Sequence, residues 1–267
     1  MSLVRNDLFN GRTDLVETAM ERLRFYEGLA LQMHPDGFYV ADSGGKDSTV
    51  IVDLCERAGV KHTCHFHPTT VDPPELLRFL RRNRPDTQWD KPTTTMWNLI
   101  EKKMMPPTGL IRYCCQYLKE GGGRGRFVVL GVRWQESARR KRRQMVEACY
   151  KKDSNRRLIN PIIEWSENDV WDYHDRYDLP HCCLYDEGFS RIGCVGCPCA
   201  GPKGMAKEFE RWPGYRDRYI KAFGKAVARR RGKNEYDGEH AKWTDGQAMF
   251  DWWMRQTPED GDGPLFG

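Results

Sequence analysis

Six consecutive residues, Ser43-Gly44-Gly45-Lys46-Asp47-Ser48, carry the groups that hold an anion. Gly44 and Gly45 have no side chains, so the backbone can come close to a phosphate. Lys46 adds a full positive charge, and Ser43 and Ser48 add hydroxyl donors. Asp47 can orient the loop or hold Mg²⁺. The residues before them, Gly37 to Ala41, read as a buried strand, and Ser48 to Ala58 read as a helix stopped by Gly59. A strand-to-helix switch at this point aims free N–H groups and the positive end of the helix dipole at the anion. The spacing differs from the Walker loop, which needs four residues between its first glycine and Gly-Lys-Ser/Thr.

The second chemical constellation is made of cysteine. The chain has 267 residues and 10 cysteines. Cys114-Cys115, Cys182-Cys183 and Cys194, Cys197, Cys199 are grouped, while Cys55, Cys64 and Cys149 stand alone. Cys194-x-x-Cys197 allows two thiolates to reach one metal, and Gly193, Gly196 and Pro198 let the backbone wrap it. Four soft thiolates, Cys114, Cys115, Cys194 and Cys197, suit Zn²⁺ or an iron–sulfur cluster. Adjacent cysteines bite awkwardly on one tetrahedral ion and reach two corners of a cubane more easily, which favours [4Fe–4S] over Zn²⁺. For Cys182, Cys183 and Cys199 the better reading is packing without a metal. His62, His65 and His67, at strand spacing, read as packing residues too.

Elements must position these groups. A helix is expected from Asp14 to Gln32, a turn at Pro35-Asp36-Gly37, and a second strand from Val60 to Phe66. Asp72, Pro73 and Glu75 have the pattern of a helix start, with the helix running to Arg82. Further helices are expected at Thr94–Lys103, Leu110–Glu120, from a Ser166 cap to Tyr177, at Lys203–Arg231 and at Thr244–Arg255. Phe127 to Trp134 reads as a strand. Alternation of strand and helix through the first two-thirds predicts an α/β fold, a mostly parallel twisted sheet with helices on both faces, plus a C-terminal helical extension. The expected boundaries are residues 1–200 for the nucleotide-binding domain and 201–267 for the extension. Thr257 to Gly267 is expected to fray. Trp243, Phe250, Trp252 and Trp253 are expected to pack that helical part; the alternative is a partner surface.

Composition narrows the class. The chain is 39% hydrophobic and 30% charged, as in a soluble globular protein. It has no apolar run of about 18 residues, so no membrane span is expected. No secretory signal is visible, so a cytoplasmic protein is expected, with thiols serving as ligands or reactive groups rather than disulfides. The net charge is +5, unevenly spread. Arg133–Arg157 and Ala206–Lys233 each hold ten Lys/Arg against three Asp/Glu. Such blocks bind phosphate or nucleic acid, or are solvated faces.

The hexapeptide resembles the pyrophosphate-binding loop of the adenine-nucleotide α-hydrolases, which cleave ATP to AMP and pyrophosphate. Arg112-Tyr113-Cys114-Cys115 with Lys119, and Arg191-Ile192-Gly193-Cys194-Val195-Gly196-Cys197-Pro198, resemble the two cysteine motifs of the phosphoadenosine phosphosulfate reductase family in its iron–sulfur branch. The resemblance covers about residues 36 to 200. It implies that Thr69 and Thr70 lie in a threonine-rich turn near the nucleotide. It also implies that Gly131-Val132-Arg133-Trp134-Gln135-Glu136-Ser137-Ala138-Arg139 is a strand-end arginine motif, with Arg133 and Arg139 forking onto phosphate or sulfate oxygens.

Two departures shape the expected activity. Reductases of this family that act on adenylyl sulfate use a cysteine in a C-terminal motif, and no cysteine follows Cys199 in this sequence. The lysine-containing loop is similar to that of members that cleave ATP, among them enzymes of DNA phosphorothioation. The leading expectation is an ATP pyrophosphatase supporting sulfur transfer, with Lys46, Asp47, Arg133 and Arg139 catalytic. ATP or an adenylyl sulfate nucleotide, Mg²⁺ and a [4Fe–4S] cluster are the expected cofactors. Expected partners are DNA or another sulfur acceptor and a cysteine desulfurase or other protein, with a homodimer left open. The alternatives are a sulfonucleotide reductase producing sulfite, a non-catalytic nucleotide- and cluster-binding subunit, and a tRNA-thiolating enzyme, which the tandem Cys114-Cys115 fits poorly.

Overall fold

The structure, a computed structural model, describes residues 3–7, 11–148, 155–232 and 243–256. Cys149 and residues 257–267 lie outside the described residues. In chain order the elements are β1 (Val4–Asp7), β2 (Gly11–Asp14), α1 (Leu15–Met33), β3 (Phe38–Ala41), α2 (Lys46–Ala58), β4 (His62–Phe66), α3 (Pro74–Asn83), β5 (Gln88–Trp89), α4 (Met96–Lys103) and α5 (Tyr113–Leu118). They continue as β6 (Phe127–Val129), β7 (Val146–Ala148), β8 (Arg157–Ile159), α6 (Glu167–Tyr177), α7 (Gly201–Arg211), α8 (Pro213–Arg231) and α9 (Gly246–Gln256).

These elements form two compact units. One comprises residues 1–66, 74–90 and 122–192, the other residues 67–73, 91–121 and 193–267. The sequence suggested a single cut at residue 200. Instead, 67–73, 91–121 and 193–200 group with the C-terminal helices, because the cysteine segments pack on those helices.

The first unit is an α/β sheet flanked by helices, ordered β5-β4-β3-β6-β8-β7. All pairings within this sheet are parallel except β7 with β8, and β1 pairs with β2 antiparallel in a separate ribbon. Register places Tyr39 beside Val128 and Val40 beside Val129. Alternation along the strands sends Phe38, Val40, Phe127 and Val129 into one apolar core with Leu15, Val16 and Leu23 of α1, Ile51 and Leu54 of α2, and Tyr173 of α6. Each such side chain removed from water contributes about 2 kcal/mol. α1 starts where Asp14 accepts from the N–H of Val16 at 2.9 Å.

Three sequence expectations change. The strand expected over 127–134 ends at Val129, and a 3₁₀ turn occupies Trp134–Glu136. The helix expected from Lys203 to Arg231 is two helices, α7 and α8, broken at Trp212-Pro213. Pro213 has no N–H to continue α7 and serves as the first residue of α8. Asp72 does not begin α3; its carboxylate turns back to Thr69. β1, β2, β5, β7 and β8 were not anticipated, being two to four residues long.

The second unit packs α8 against α4 and α9. Phe209, Tyr219, Phe223, Phe250 and Trp253 form its interior, with Tyr219 and Trp253 rings 4.9 Å apart. Trp243 is buried beside Trp252 at 5.0 Å. These aromatics therefore pack a helical unit, as expected. Among the described residues no helix is long and apolar enough to cross a membrane.

Candidate functional site

In the first unit the loop sits where β3 ends and α2 begins. Gly44 has φ of 72°, a left-handed backbone that favours glycine, and an added Cβ would meet Leu76 Cδ1 at 2.7 Å and Leu80 Cγ at 2.9 Å. Its N–H donates to Asp42 Oδ1 at 3.0 Å, and Asp42 Oδ2 accepts from the Thr87 hydroxyl. Gly45 caps α2 with no side-chain bond of its own. The first-turn N–H groups of a helix have no intrahelical partner. That of Lys46 donates to the Tyr185 hydroxyl at 2.9 Å. The Ser43 hydroxyl donates to Ser48 Oγ at 3.2 Å, and Ser48 donates to the Gly45 carbonyl.

Lys46 is buried between two carboxylates. Its Nζ lies 3.5 Å from Asp47 Oδ2 and 3.4 Å from Glu167 Oε1, and donates to the Ser190 carbonyl at 3.2 Å. Arg133 is 3% exposed, so its charge needs a partner, and its Nε donates to Asp47 Oδ1 at 2.5 Å. Both oxygens of Asp47 thus face cations, which fits the orienting role. A Mg²⁺ ion at such a loop is bound mainly through phosphate oxygens and water. Gly131 allows the close approach of this strand end: an added Cβ would stand 3.1 Å from the Asp47 backbone. Arg139 is exposed, and no side-chain hydrogen bond or ion pair to a described residue holds it to the loop.

Several residues of this site escaped the sequence reading. Ser166 and Asp169 form a capping box that starts α6. That helix carries Glu167 to Lys46 and brings His174 Nε2 within 3.0 Å of the Lys46 carbonyl. Tyr185, its phenol pushed above the usual range by burial, lies with its ring centroid 5.5 Å from Lys46 Nζ. The Ser166 cap was visible as a helix start, but its relation to Lys46 has no local signature.

The cysteine site belongs wholly to the second unit. Gly196, with φ of 72°, turns the chain between Cys194 and Cys197, and an added Cβ would meet the Phe209 and Tyr219 rings at 2.7 and 2.9 Å. Its N–H donates to Glu208 Oε2 at 2.6 Å, and Tyr219 donates to the Val195 carbonyl at 2.9 Å. Cys114 and Cys115 open α5. Cys114 shares a hydrogen bond with Cys115 and interacts electrostatically with Cys194 and Cys197, while Cys115 also senses Cys199. The hydrogen bond from Cys114, then Lys119 and Arg112, hold the Cys115 thiol below its ordinary range, and the same bond and burial raise Cys114. Burial raises Cys194, with Lys119 the main counterweight. Lys119 is raised in turn, first by Cys194 and then by Asp72, Cys197 and Cys115.

Thr69 lies at this site: Cys194 donates to its Oγ1 at 3.3 Å, and the Thr69 hydroxyl donates to Asp72 Oδ1 at 2.8 Å. Thr70, at φ 67°, accepts from the N–H of Met96. Cys182 is buried and Cys183 exposed, both in the first unit. Among the described residues no three His, Cys, Asp or Glu side chains stand at the spacing of a bound ion's ligands. In chemistry the donor set fits an iron–sulfur group: soft thiols from two segments, small flanking residues, and Lys119 to offset negative charge.

The sheet with a glycine loop opening a helix defines an α/β nucleotide-binding protein. Residues 38–200 match the family model described as the phosphoadenosine phosphosulfate reductase domain, and the chain belongs to that family. It is 37% identical over 86 residues to the phosphoadenosine 5'-phosphosulfate reductase of Alkalilimnicola ehrlichii, covering 32% of this chain and 34% of that protein. It is 28% identical over 201 residues to the adenosine 5'-phosphosulfate reductase of Deinococcus radiodurans, covering 69% and 75%. The chain spans about a third of the length of several curated relatives it matches. In fold it is similar to Candida glabrata FMN adenylyltransferase in complex with FAD and inorganic pyrophosphate, with a TM-score of 0.50 and 15% identity, covering 68% of this chain and 62% of that one.

Proposed function

We propose that the protein is a nucleotide-using enzyme of sulfur metabolism that cleaves ATP between its α and β phosphates, giving AMP and pyrophosphate, in support of sulfur transfer to an acceptor. The observation that carries this reading is Lys46, buried at the start of α2 beside the bare backbone of Gly44 and Gly45. An acceptor oxygen attacks the α-phosphorus and the α–β bridging oxygen leaves with pyrophosphate; a sulfur nucleophile then displaces AMP from the adenylated acceptor, and with no acceptor present water attacks and gives AMP directly. Lys46 and the loop N–H groups stabilise the charge that grows on that leaving group. Asp47 fixes Arg133, whose Nη1 turns to Gln135 and the Trp165 carbonyl, so that Nη2 is the donor left for the α-phosphate; Mg²⁺ joins with the nucleotide. Gly131, Ser43 and Ser48 keep the loop's shape. Arg139, exposed, serves the acceptor side.

Cys114, Cys115, Cys194 and Cys197 would hold the [4Fe–4S] cluster, which supplies electron or sulfur chemistry when bound. Thr69 and Thr70 shape the turn beside Cys194. DNA is the acceptor in first place, with a cysteine desulfurase or similar protein as sulfur source, in the cytoplasm.

A second reading, reduction of a sulfonucleotide to sulfite, is favoured by the reductase names of the relatives. One experiment separates them. Protein purified without oxygen is incubated with Mg-ATP and, separately, with adenylyl sulfate plus a thiol. AMP and pyrophosphate without sulfite are expected. Sulfite from the sulfonucleotide, with ATP untouched, overturns the first reading in favour of the second.

A further inference from the structure

A groove of about 380 Å³ runs between α4 and α8, lined by Trp97, Asn98 and Glu101 from α4 and by Arg218, Lys221, Ala222 and Lys225 from α8. Arg218, Lys221 and Lys225 stand at i, i+3 and i+7, on one face of the helix and spread over about 10 Å of its axis. All three are exposed. Among the described residues no carboxylate pairs with them, and the Arg218 guanidinium lies 6.0 Å from the Tyr215 ring centroid. Glu101 is the single acid in the lining. An ordinary solvated helix face carries its cations on a convex surface. Here they border a concavity whose opposite wall holds an indole. Trp97 packs edge-on against Tyr219 at 5.0 Å, and Tyr219 is fully buried and tied to the Val195 carbonyl, so the indole has a fixed support.

We propose that this groove binds a single strand of nucleic acid, with successive phosphates along Arg218, Lys221 and Lys225 and a base against Trp97. A row of unpaired cations beside an aromatic platform is the combination by which proteins grip single strands. The volume lies in the range of clefts that take a small-molecule-sized group. Asn98 and Glu101 offer an amide and a carboxylate to the edge of that base. A duplex would satisfy the cations and leave the indole unused, because its base faces are stacked. An acidic peptide would leave both the indole and Asn98 unused. The inference stands whatever reaction the loop performs, because binding at the groove needs no ATP.

The test is fluorescence anisotropy of the full-length protein with a short labelled DNA strand of mixed sequence, in the absence of ATP. Matched duplex, RNA strand and polyglutamate are the competitors. The strand is expected to compete at least about tenfold better than the duplex or polyglutamate. The RNA arm distinguishes the two sources of a strand. R218E/K221E/K225E is expected to weaken binding at least tenfold and to flatten the log–log salt dependence by about 2, from three lost phosphate contacts. The charge-matched R12E/K61E/R82E changes exposed residues of the other unit and is expected to stay within about twofold of the parent protein. Trp97→Phe keeps a ring and is expected to bind better than Trp97→Ala, with melting temperatures reporting folding of both. Equal losses in the two triple variants, or polyglutamate competing as well as the strand, would overturn the proposal.

Discussion

The two sites of this protein are prepared in opposite ways. In the α/β unit every charge of the loop is already paired: Lys46 with Asp47 and Glu167, and Arg133 with Asp47. Backbone geometry and ion pairs hold the loop before any anion arrives. In the helical unit the thiols share one electrostatic neighbourhood, and among the described residues no three ligand side chains stand at the spacing of a bound ion's ligands. The turn at Gly196 and the start of α5 bring them near one another, and a bound group would draw them into position. A phosphate site can be preorganised by amides that are neutral when empty. Four thiolates need positive charge beside them, because their mutual repulsion is large in a partly buried place, and Lys119 supplies only part of it.

The largest expected effect breaks the first half of this comparison. Lys46→Ala leaves Asp47 and Glu167 without their shared cation and removes the charge from the start of α2. ATP cleavage is expected to fall at least about a hundredfold, measured as pyrophosphate release, while iron content stays at the parent level.

Next come the two left-handed glycines, one in each site. Gly44→Ala and Gly196→Ala each place a Cβ below 3.0 Å from a neighbouring side chain. Each is expected to cost about 2 kcal/mol. Nucleotide affinity should drop in the first and iron content in the second, without exchange of phenotypes. Loss of iron in Gly44→Ala would show that the two sites are not independent.

Arg133→Lys keeps the charge and loses the fork that can hold Asp47 and a phosphate together. A fall of about tenfold in kcat/KM for ATP is expected, with nucleotide protection against thermal unfolding reduced and the apo melting temperature lowered only slightly.

The mildest test concerns thiol chemistry. In metal-stripped protein, Cys115 has its pKa drawn down by the bond from Cys114 and by Lys119, whereas burial pushes Cys64 of the sheet unit up to about 12. Thiolate, the reactive form, increases as pH rises through the pKa. Iodoacetamide at neutral pH is therefore expected to label Cys115 well before Cys64, read by peptide mass mapping. Cys64 should respond only in strong alkali.

Much of this was legible in the chain alone. The Gly-Gly-Lys loop, the capped start of α6 and the paired cysteines are local patterns, and local patterns depend on neighbours within a few residues. The grouping of Trp243, Phe250 and Trp253 into a helical unit also followed from spacing. The break at Trp212-Pro213 had a sequence signal in Pro213, masked by the continuous run of helix-forming residues around it.

What the sequence by itself determined, then, is the inventory: a Ser-Gly-Gly-Lys turn between strand and helix, two groups of soft thiols, alternating strands and helices, and an excess of cations on the segment that became α8. Only the tertiary structure decided who meets whom. Tyr185 reaches Lys46 across 139 positions and Thr69 reaches Cys194 across 125. The groove between α4 and α8 exists because helices more than a hundred residues apart pack side by side. Such pairings arise when apolar faces are buried together, and nothing in a local window encodes which distant face will be the partner.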